Sequence, residues 1–86
     1  MRIDKFLQVS RIIKRRAIAK EVVEKQRVSI NGKVAKPSSL INIDDNIKIE
    51  FGDTTLEIRV LSISDKVKKD QIEEVYEIIR KGENKK

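Results

Sequence analysis

The spacing of apolar residues changes at Val28, and this change limits the folds open to the chain. Before Val28, apolar residues recur three and four positions apart, as on the buried side of a helix. After Val28, they alternate with polar residues, as in strands with one buried face. The sequence therefore predicts helices first and an antiparallel sheet second, packed together as an α+β domain.

The predicted helices are short and are joined by a corner. The first helix contains Ile3–Leu7, where Asp4 is placed to cap the free N–H groups of the first turn. Ser10–Lys14 is predicted to form the corner. The second helix is predicted over Arg15–Lys25, with one apolar stripe toward the core and a basic stripe toward solvent. Its core residues are predicted to be Ile18, Ala19, Val22 and Val23.

Two hairpins are predicted after the helices. Asn31-Gly32 is the strongest short hairpin signal in the sequence, and it lies between the candidate strands Val28–Ile30 and Lys33–Ala35. Alternating apolar residues over 47–51 and 56–60 flank a second turn. These two runs predict an antiparallel pair with one buried face.

A third helix is predicted near the end of the chain. Asp70 and Glu73 have the spacing of a capping box, and apolar residues follow at helical intervals as far as Ile79. Gly82 suits the position just after a helix. We therefore divide the chain into a main domain, residues 1–64, and a helical extension, residues 65–86, packed on it.

Few residues are available for catalysis. The chain has 86 residues and contains neither Cys nor His, which excludes zinc fingers, thiolate or imidazole catalysis and disulfides. Its three glycines are too scattered for a phosphate-binding loop. The acidic pairs Asp44-Asp45 and Glu73-Glu74 are expected to serve a turn and a helix start. We expect a protein that is not an enzyme and that needs no cofactor or metal.

The start of the chain carries no targeting pattern. No run of seven apolar residues follows the charged segment Met1–Lys5, so neither a secretory signal nor a membrane span is predicted. A cytoplasmic protein fits this pattern.

Positive charge is concentrated in the first part of the chain. Residues 1–36 carry eleven Lys or Arg against three acids, a net charge of +8, whereas residues 37–86 carry nine against eleven, a net charge of −2. Solubility does not require this separation, because mixed charges solubilise a surface equally well. Seven bases lie on the two helices and their corner. They are Arg2, Lys5, Arg11, Lys14, Arg15, Arg16 and Lys20.

This basic cluster favours a polyanion, because Arg grips phosphate with two parallel hydrogen bonds; a merely solvated face is the alternative. Sequence-specific reading of DNA has weak support, since residues 15–25 contain no Asn or Gln. Aromatic residues make up 3% of the chain, too few for a base-stacking platform. Structured RNA is the remaining nucleic acid.

Two alternative functions stay open, a protein-interaction module and a fragment of an RNA-modifying enzyme. Binding to a membrane surface ranks lower than these.

Several segments together resemble a known RNA-binding family. They are Arg2-Ile3-Asp4-Lys5-Phe6-Leu7, Ser10-Arg11, Lys14-Arg15-Arg16-Ala17, Ala19-Lys20 and Val28-Ser29-Ile30-Asn31-Gly32-Lys33-Val34. The combination is similar to the RNA-binding domain first described in ribosomal protein S4, over residues 1 to about 52. The resemblance implies that fold for residues 1–64: two helices packed on a small antiparallel sheet.

Within that family, the chain length, the run Ser10–Arg16 and the segment Val75–Ile79 are most similar to small stand-alone bacterial members that act in ribosome-associated quality control. This resemblance implies binding to large ribosomal subunits that carry a stalled peptidyl-tRNA, through ribosomal RNA and tRNA. It also implies cooperation with the NEMF-family factor RqcH, which adds a C-terminal alanine tail to the stalled chain. We expect a monomer. The heat-shock member of the family, which has a longer basic tail, is the alternative.

The resemblance also implies roles for single residues. Arg2 and Arg16 would be the principal RNA contacts, and Asp4 would either cap the first helix or orient a neighbouring Arg. The remaining RNA-binding residues would be Lys5, Arg11, Lys14, Arg15 and Lys20. Gln26 and Asp44 stand where the family usually has Gly. If these positions require positive φ, Gln26 costs about 1 kcal/mol relative to Gly, and Asp44 is better tolerated.

Overall fold

The computed structural model describes residues 1–63 and 74–83 and confirms the predicted order of helices before strands. Helix α1 spans Ile3–Val9 and helix α2 spans Arg16–Glu24. Both are too short to cross a bilayer, and no other helix in these residues could do so. The strands are β1 (Val28–Ile30), β2 (Lys33–Val34), β3 (Asn46–Phe51), β4 (Thr54–Val60) and β5 (Tyr76–Glu83). They form an antiparallel sheet in the order β2-β1-β3-β4-β5.

A shared core joins the helices to the sheet. Apolar residues of α1 and α2 are buried together with the alternating apolar residues of β1, β3 and β4. This burial is the main force that fixes the helices on the sheet. The residues are Ile3, Phe6, Leu7, Ala19, Val23, Val28, Ile47, Ile49, Ile58 and Val60. The predicted core stripe of α2 is too wide, however, because Val22 is only half-buried and Ile18 is exposed.

The predicted Asn31-Gly32 hairpin is confirmed. Both residues have positive φ, 52° and 86°, as the tight turn between β1 and β2 requires. The side chain of Asp45 supports this turn, since it accepts hydrogen bonds from Asn31 Nδ2 at 3.0 Å and from the N–H of Asn42 at 2.7 Å. The pair Asp44-Asp45 thus belongs to turn structure, as predicted.

Gln26 and Asp44, which stand where the family usually has Gly, both adopt positive φ, at 62° and 75°. Gln26 follows the end of α2, where its N–H donates to Val23 O at 3.0 Å and the next N–H, of Arg27, donates to Val22 O at 3.3 Å. This pair of hydrogen bonds is the Schellman arrangement, which ends many helices and favours Gly. Gln26 therefore holds a strained position.

The predicted C-terminal helix is wrong for residues 76–83, which form strand β5. This strand pairs with β4 from Thr54 opposite Glu83 to Val60 opposite Tyr76. Without it, the backbone groups of β4 would lack partners on one side, and β-branched and aromatic residues suit a strand at least as well as a helix. Burial in this pairing raises the pKa of the Tyr76 phenol. The predicted cap at Asp70 and Glu73 and the predicted boundary at residue 64 lie outside the described residues.

Candidate nucleic-acid interface

A buried carboxylate lies between two arginines at the N-terminal ends of the helices. The side chain of Asp4 is only 2% exposed. Arg2 Nη2 lies 3.2 Å from Asp4 Oδ2, and Arg16 Nη2 lies 3.6 Å from Asp4 Oδ1. Residues that are fourteen positions apart in sequence therefore share one anionic partner. We name these three residues the Arg2–Asp4–Arg16 cluster.

The first turn of α1 fixes the position of Asp4. The N-cap of the helix is Arg2, whose extended backbone leads into Ile3, so that Asp4 is the second helical residue. Asp4 Oδ1 accepts a hydrogen bond from the N–H of Lys5 at 2.7 Å, which holds the carboxylate in place. The N-cap position is Arg2 and not Asp4, but the Asp4 carboxylate does satisfy one free N–H group of the first turn, as predicted. Its contacts with Arg2 and Arg16 also agree with the alternative prediction, that Asp4 orients a neighbouring Arg.

The corner between the helices places Arg16 next to Asp4. Ser10 is buried and its hydroxyl donates to Leu7 O at 3.2 Å, while Arg11 has a φ of 64° and reverses the chain. The N–H of Ile13 then donates back to Leu7 O at 3.0 Å. These contacts anchor the corner on the last turn of α1, and the chain returns to begin α2 at Arg16.

The cluster presents two guanidinium groups to solvent. The side chains of Arg2 and Arg16 are 45% and 48% exposed, whereas their shared partner is buried. A single carboxylate cannot satisfy the ten N–H donors of two guanidiniums, so donors remain on the exposed side. The cluster also keeps a net positive charge. Two planar forks held beside each other are suited to an oxyanion such as phosphate, because little side-chain entropy remains to be lost on binding.

The other predicted site residues lie on the two helices or on the corner between them. Lys5 is half-buried on α1, and the remaining four are exposed. Lys20 follows Arg16 by four residues on α2 and therefore lies on the same side of the helix. Among the residues that the structure describes, these four form no ion pair with the cluster. They are Arg11, Lys14, Arg15 and Lys20.

The segment Ser39–Ile41 lies beside the cluster and was not predicted from the sequence to do so. Leu40 pairs with Arg2 in an isolated antiparallel bridge. The N–H of Ile3 donates to Ser39 O at 2.8 Å, and the N–H of Ile41 donates to Met1 O at 2.9 Å. The sequence carries only a weak signal for this pairing, namely the apolar residues Leu40 and Ile41 between the two predicted hairpins.

Comparison with known proteins identifies the family. Residues 1–47 match the model of the S4 domain. The chain is 48% identical over 79 residues to the RQC P-site tRNA stabilizing factor of Streptococcus pneumoniae, which covers 92% of this chain and 90% of that protein. It is 44% identical over 80 residues to the factor of the same name from Bacillus subtilis, with 93% of each chain covered.

A solved structure has the same fold. The trimeric structure of heat shock protein 15 from Vibrio cholerae matches with a TM-score of 0.82 at 31% identity, over 91% of this chain and 80% of that chain. The structural match and the family model agree with the resemblance found in the sequence. The chain belongs to the S4-domain family and, within it, to the family of RQC P-site tRNA stabilizing factors, also called RqcP.

Proposed function

We propose that this protein is a non-enzymatic RNA-binding factor of ribosome-associated quality control that stabilises tRNA in the P site. The relatives named for this activity are similar to it over nine-tenths of the chain. The part of the proposal that concerns RNA rests on the chain's own residues. The part that concerns the P site rests on the names of those relatives.

The observation that carries the proposal is the buried carboxylate shared by two half-exposed arginines. A carboxylate that is 2% exposed is costly to bury unless it is paired, and here both of its partners are cations that face outward. The shared carboxylate restrains both guanidiniums, Arg2 through a hydrogen bond and Arg16 through an ion pair, and two such cations suit the phosphates of a folded RNA. Its location in the segment of net charge +8 adds long-range attraction for a polyanion.

The finer proposal concerns the ribosomal complex. We infer that the protein acts in the cytoplasm on large ribosomal subunits that carry a stalled peptidyl-tRNA, and that it contacts both ribosomal RNA and tRNA there. In this proposal it binds as a monomer and works with RqcH during C-terminal alanine tailing. The support is the similarity over nearly the whole chain to factors named for P-site tRNA.

The substitution Arg16→Ala tests the proposal. We expect it to reduce co-sedimentation with large ribosomal subunits strongly while the melting temperature stays almost unchanged, because Arg2 still pairs with Asp4. Arg59→Ala is the matched control. Arg59 is also 48% exposed and also pairs with one acid, Glu77, but it lies on β4. Removal of such a surface pair costs at most about 1 kcal/mol. If the Arg16 variant sediments as the wild type does, the site assignment is wrong.

The match to heat shock protein 15 supports a second candidate function, that of a heat-shock-type factor bound to large subunits. The two candidates differ in their partners. Recovery of large subunits together with RqcH in a pull-down supports the quality-control proposal, and recovery of large subunits without RqcH supports the second candidate.

A further inference from the structure

Leu40 is an exposed apolar residue next to the Arg2–Asp4–Arg16 cluster. Its side chain is 68% exposed, more than that of any other large apolar residue in the described ranges 1–63 and 74–83. An exposed leucine needs no explanation by itself, since much of any protein surface is apolar. The position of Leu40 does need an explanation, because this residue lies opposite Arg2 in a backbone pairing.

The backbone pairing fixes where the Leu40 side chain points. The hydrogen bonds from Ile3 to Ser39 and from Ile41 to Met1 lie on either side of the pair, so Arg2 and Leu40 face each other without hydrogen bonds between them. Facing side chains in such a pair emerge on the same side and lie closest, with Cβ atoms roughly 4.5–5.5 Å apart. Ile3 and Ile41, which point the other way, are buried. Leu40 and Arg2 therefore share the solvent side.

We infer that Leu40 packs against a base or ribose of the RNA whose phosphate is held by Arg2 and Arg16. This inference rests on the proposed RNA-binding function and extends it from the charge of the RNA to its nucleosides. A nucleotide carries an apolar base face and a sugar within a few ångströms of its phosphate, and apolar side chains contact such faces in RNA and DNA complexes. The cluster supplies donors for the phosphate, and Leu40 supplies the apolar surface beside it.

Continuity with the basic cluster favours RNA over a protein as the occupant. Leu40 faces Arg2, which belongs to the segment of net charge +8 and to the Arg2–Asp4–Arg16 cluster. A partner that covers Leu40 must also accept hydrogen bonds from Arg2. A nucleotide meets both requirements with one unit. The two backbone hydrogen bonds that flank Leu40, from Ile3 to Ser39 and from Ile41 to Met1, hold this surface in place before RNA arrives.

The test is Leu40→Ala, measured against protein-free tRNA, protein-free large-subunit ribosomal RNA and purified large subunits over a range of salt concentrations. We expect binding about three- to tenfold weaker, because a buried apolar contact is lost. The slope of log affinity against log salt should stay unchanged, since no phosphate contact is removed. Arg2→Ala should instead reduce the magnitude of that slope by about one. Ile78→Ala is the matched control, because Ile78 is 56% exposed on the edge strand β5.

A second variant, Leu40→Phe, separates loss of contact from loss of fold. An aromatic ring can stack on a base, so this variant should bind protein-free RNA at least as tightly as the wild type. If Leu40→Ala binds as the wild type does while Arg16→Ala is weakened, the inference about Leu40 is wrong and the proposed function stands. If Leu40→Ala weakens binding to large subunits alone, Leu40 faces a ribosomal protein, and the inference is again wrong. If neither Leu40→Ala nor Arg16→Ala weakens binding to any of these RNAs, the proposed function itself fails.

Discussion

At the scale of single residues, a substitution of Asp4 tests whether RNA binding depends on the positions of Arg2 and Arg16 or on the net charge of the surface. Asp4→Asn removes one negative charge next to two arginines, so an argument from net charge alone predicts tighter RNA binding. We expect the opposite, with binding about five- to twentyfold weaker, because Arg2 and Arg16 lose the shared carboxylate that restrains both side chains. Fluorescence anisotropy with labelled tRNA, at a single salt concentration, measures the change.

The control for this prediction changes the same charge elsewhere. Asp53→Asn alters an exposed aspartate in the turn between β3 and β4, and it should leave RNA affinity unchanged or raise it slightly. Asn can still accept the hydrogen bond from the N–H of Lys5, so the first turn of α1 should persist in the Asp4 variant. Tighter binding by Asp4→Asn would show that charge alone governs the surface.

At the scale of elements, the end of α2 is held by a residue that is poorly suited to it. Gln26 has a φ of 62°, which costs a residue with a Cβ atom roughly 1–2 kcal/mol relative to Gly. Gln26→Gly should therefore stabilise the protein by about 1 kcal/mol, measured by urea unfolding. Its side chain is exposed and forms no hydrogen bond in the part of the chain that the structure describes, so little is lost with it.

Two further substitutions test whether the positive φ of Gln26 is the cause of the lower stability. Asp44→Gly should gain less, because Asp tolerates positive φ better than Gln does. Glu24→Gly, within the last turn of α2, should destabilise the protein, since Gly is a poor helix former there. Equal effects of the substitutions at positions 24 and 26 would show that backbone strain at Gln26 is not the cause.

The helices and strands also show which parts of the fold could be predicted from local sequence patterns. The helices and the two hairpins are local, and their signals lie within each segment, such as Asn31-Gly32 at the first turn. Strand β5 was missed because Val75, Tyr76 and Ile79 fit a helix by spacing and a strand by residue type. The choice between them was made by the free edge of β4, which lies far away in sequence. Periodicity alone could not supply that contact.

At the scale of the whole molecule, the two local helices bring three of the predicted site residues, Arg2, Asp4 and Arg16, into contact, while their binding of RNA stays a prediction. The contact between Arg16 and Asp4 follows from the corner, which the sequence did predict. Leu40 was missed for the same reason as β5. Its pairing with Arg2 joins positions that are thirty-eight apart, and no local pattern marks such a partner. The apolar part of the surface is thus a product of the tertiary fold.

The division of charge predicts how the whole molecule responds to salt. If about five to seven phosphates are contacted by the basic segment, the slope of log affinity against log salt should be of order −4 to −6. Lys20→Gln, on the outer side of α2, should make this slope less negative by about one. Lys48→Gln removes the same charge from an exposed position on β3, in the segment of net charge −2, and should leave the slope unchanged. Equal changes from both lysines would mean that the protein attracts RNA through its total charge, with no defined surface.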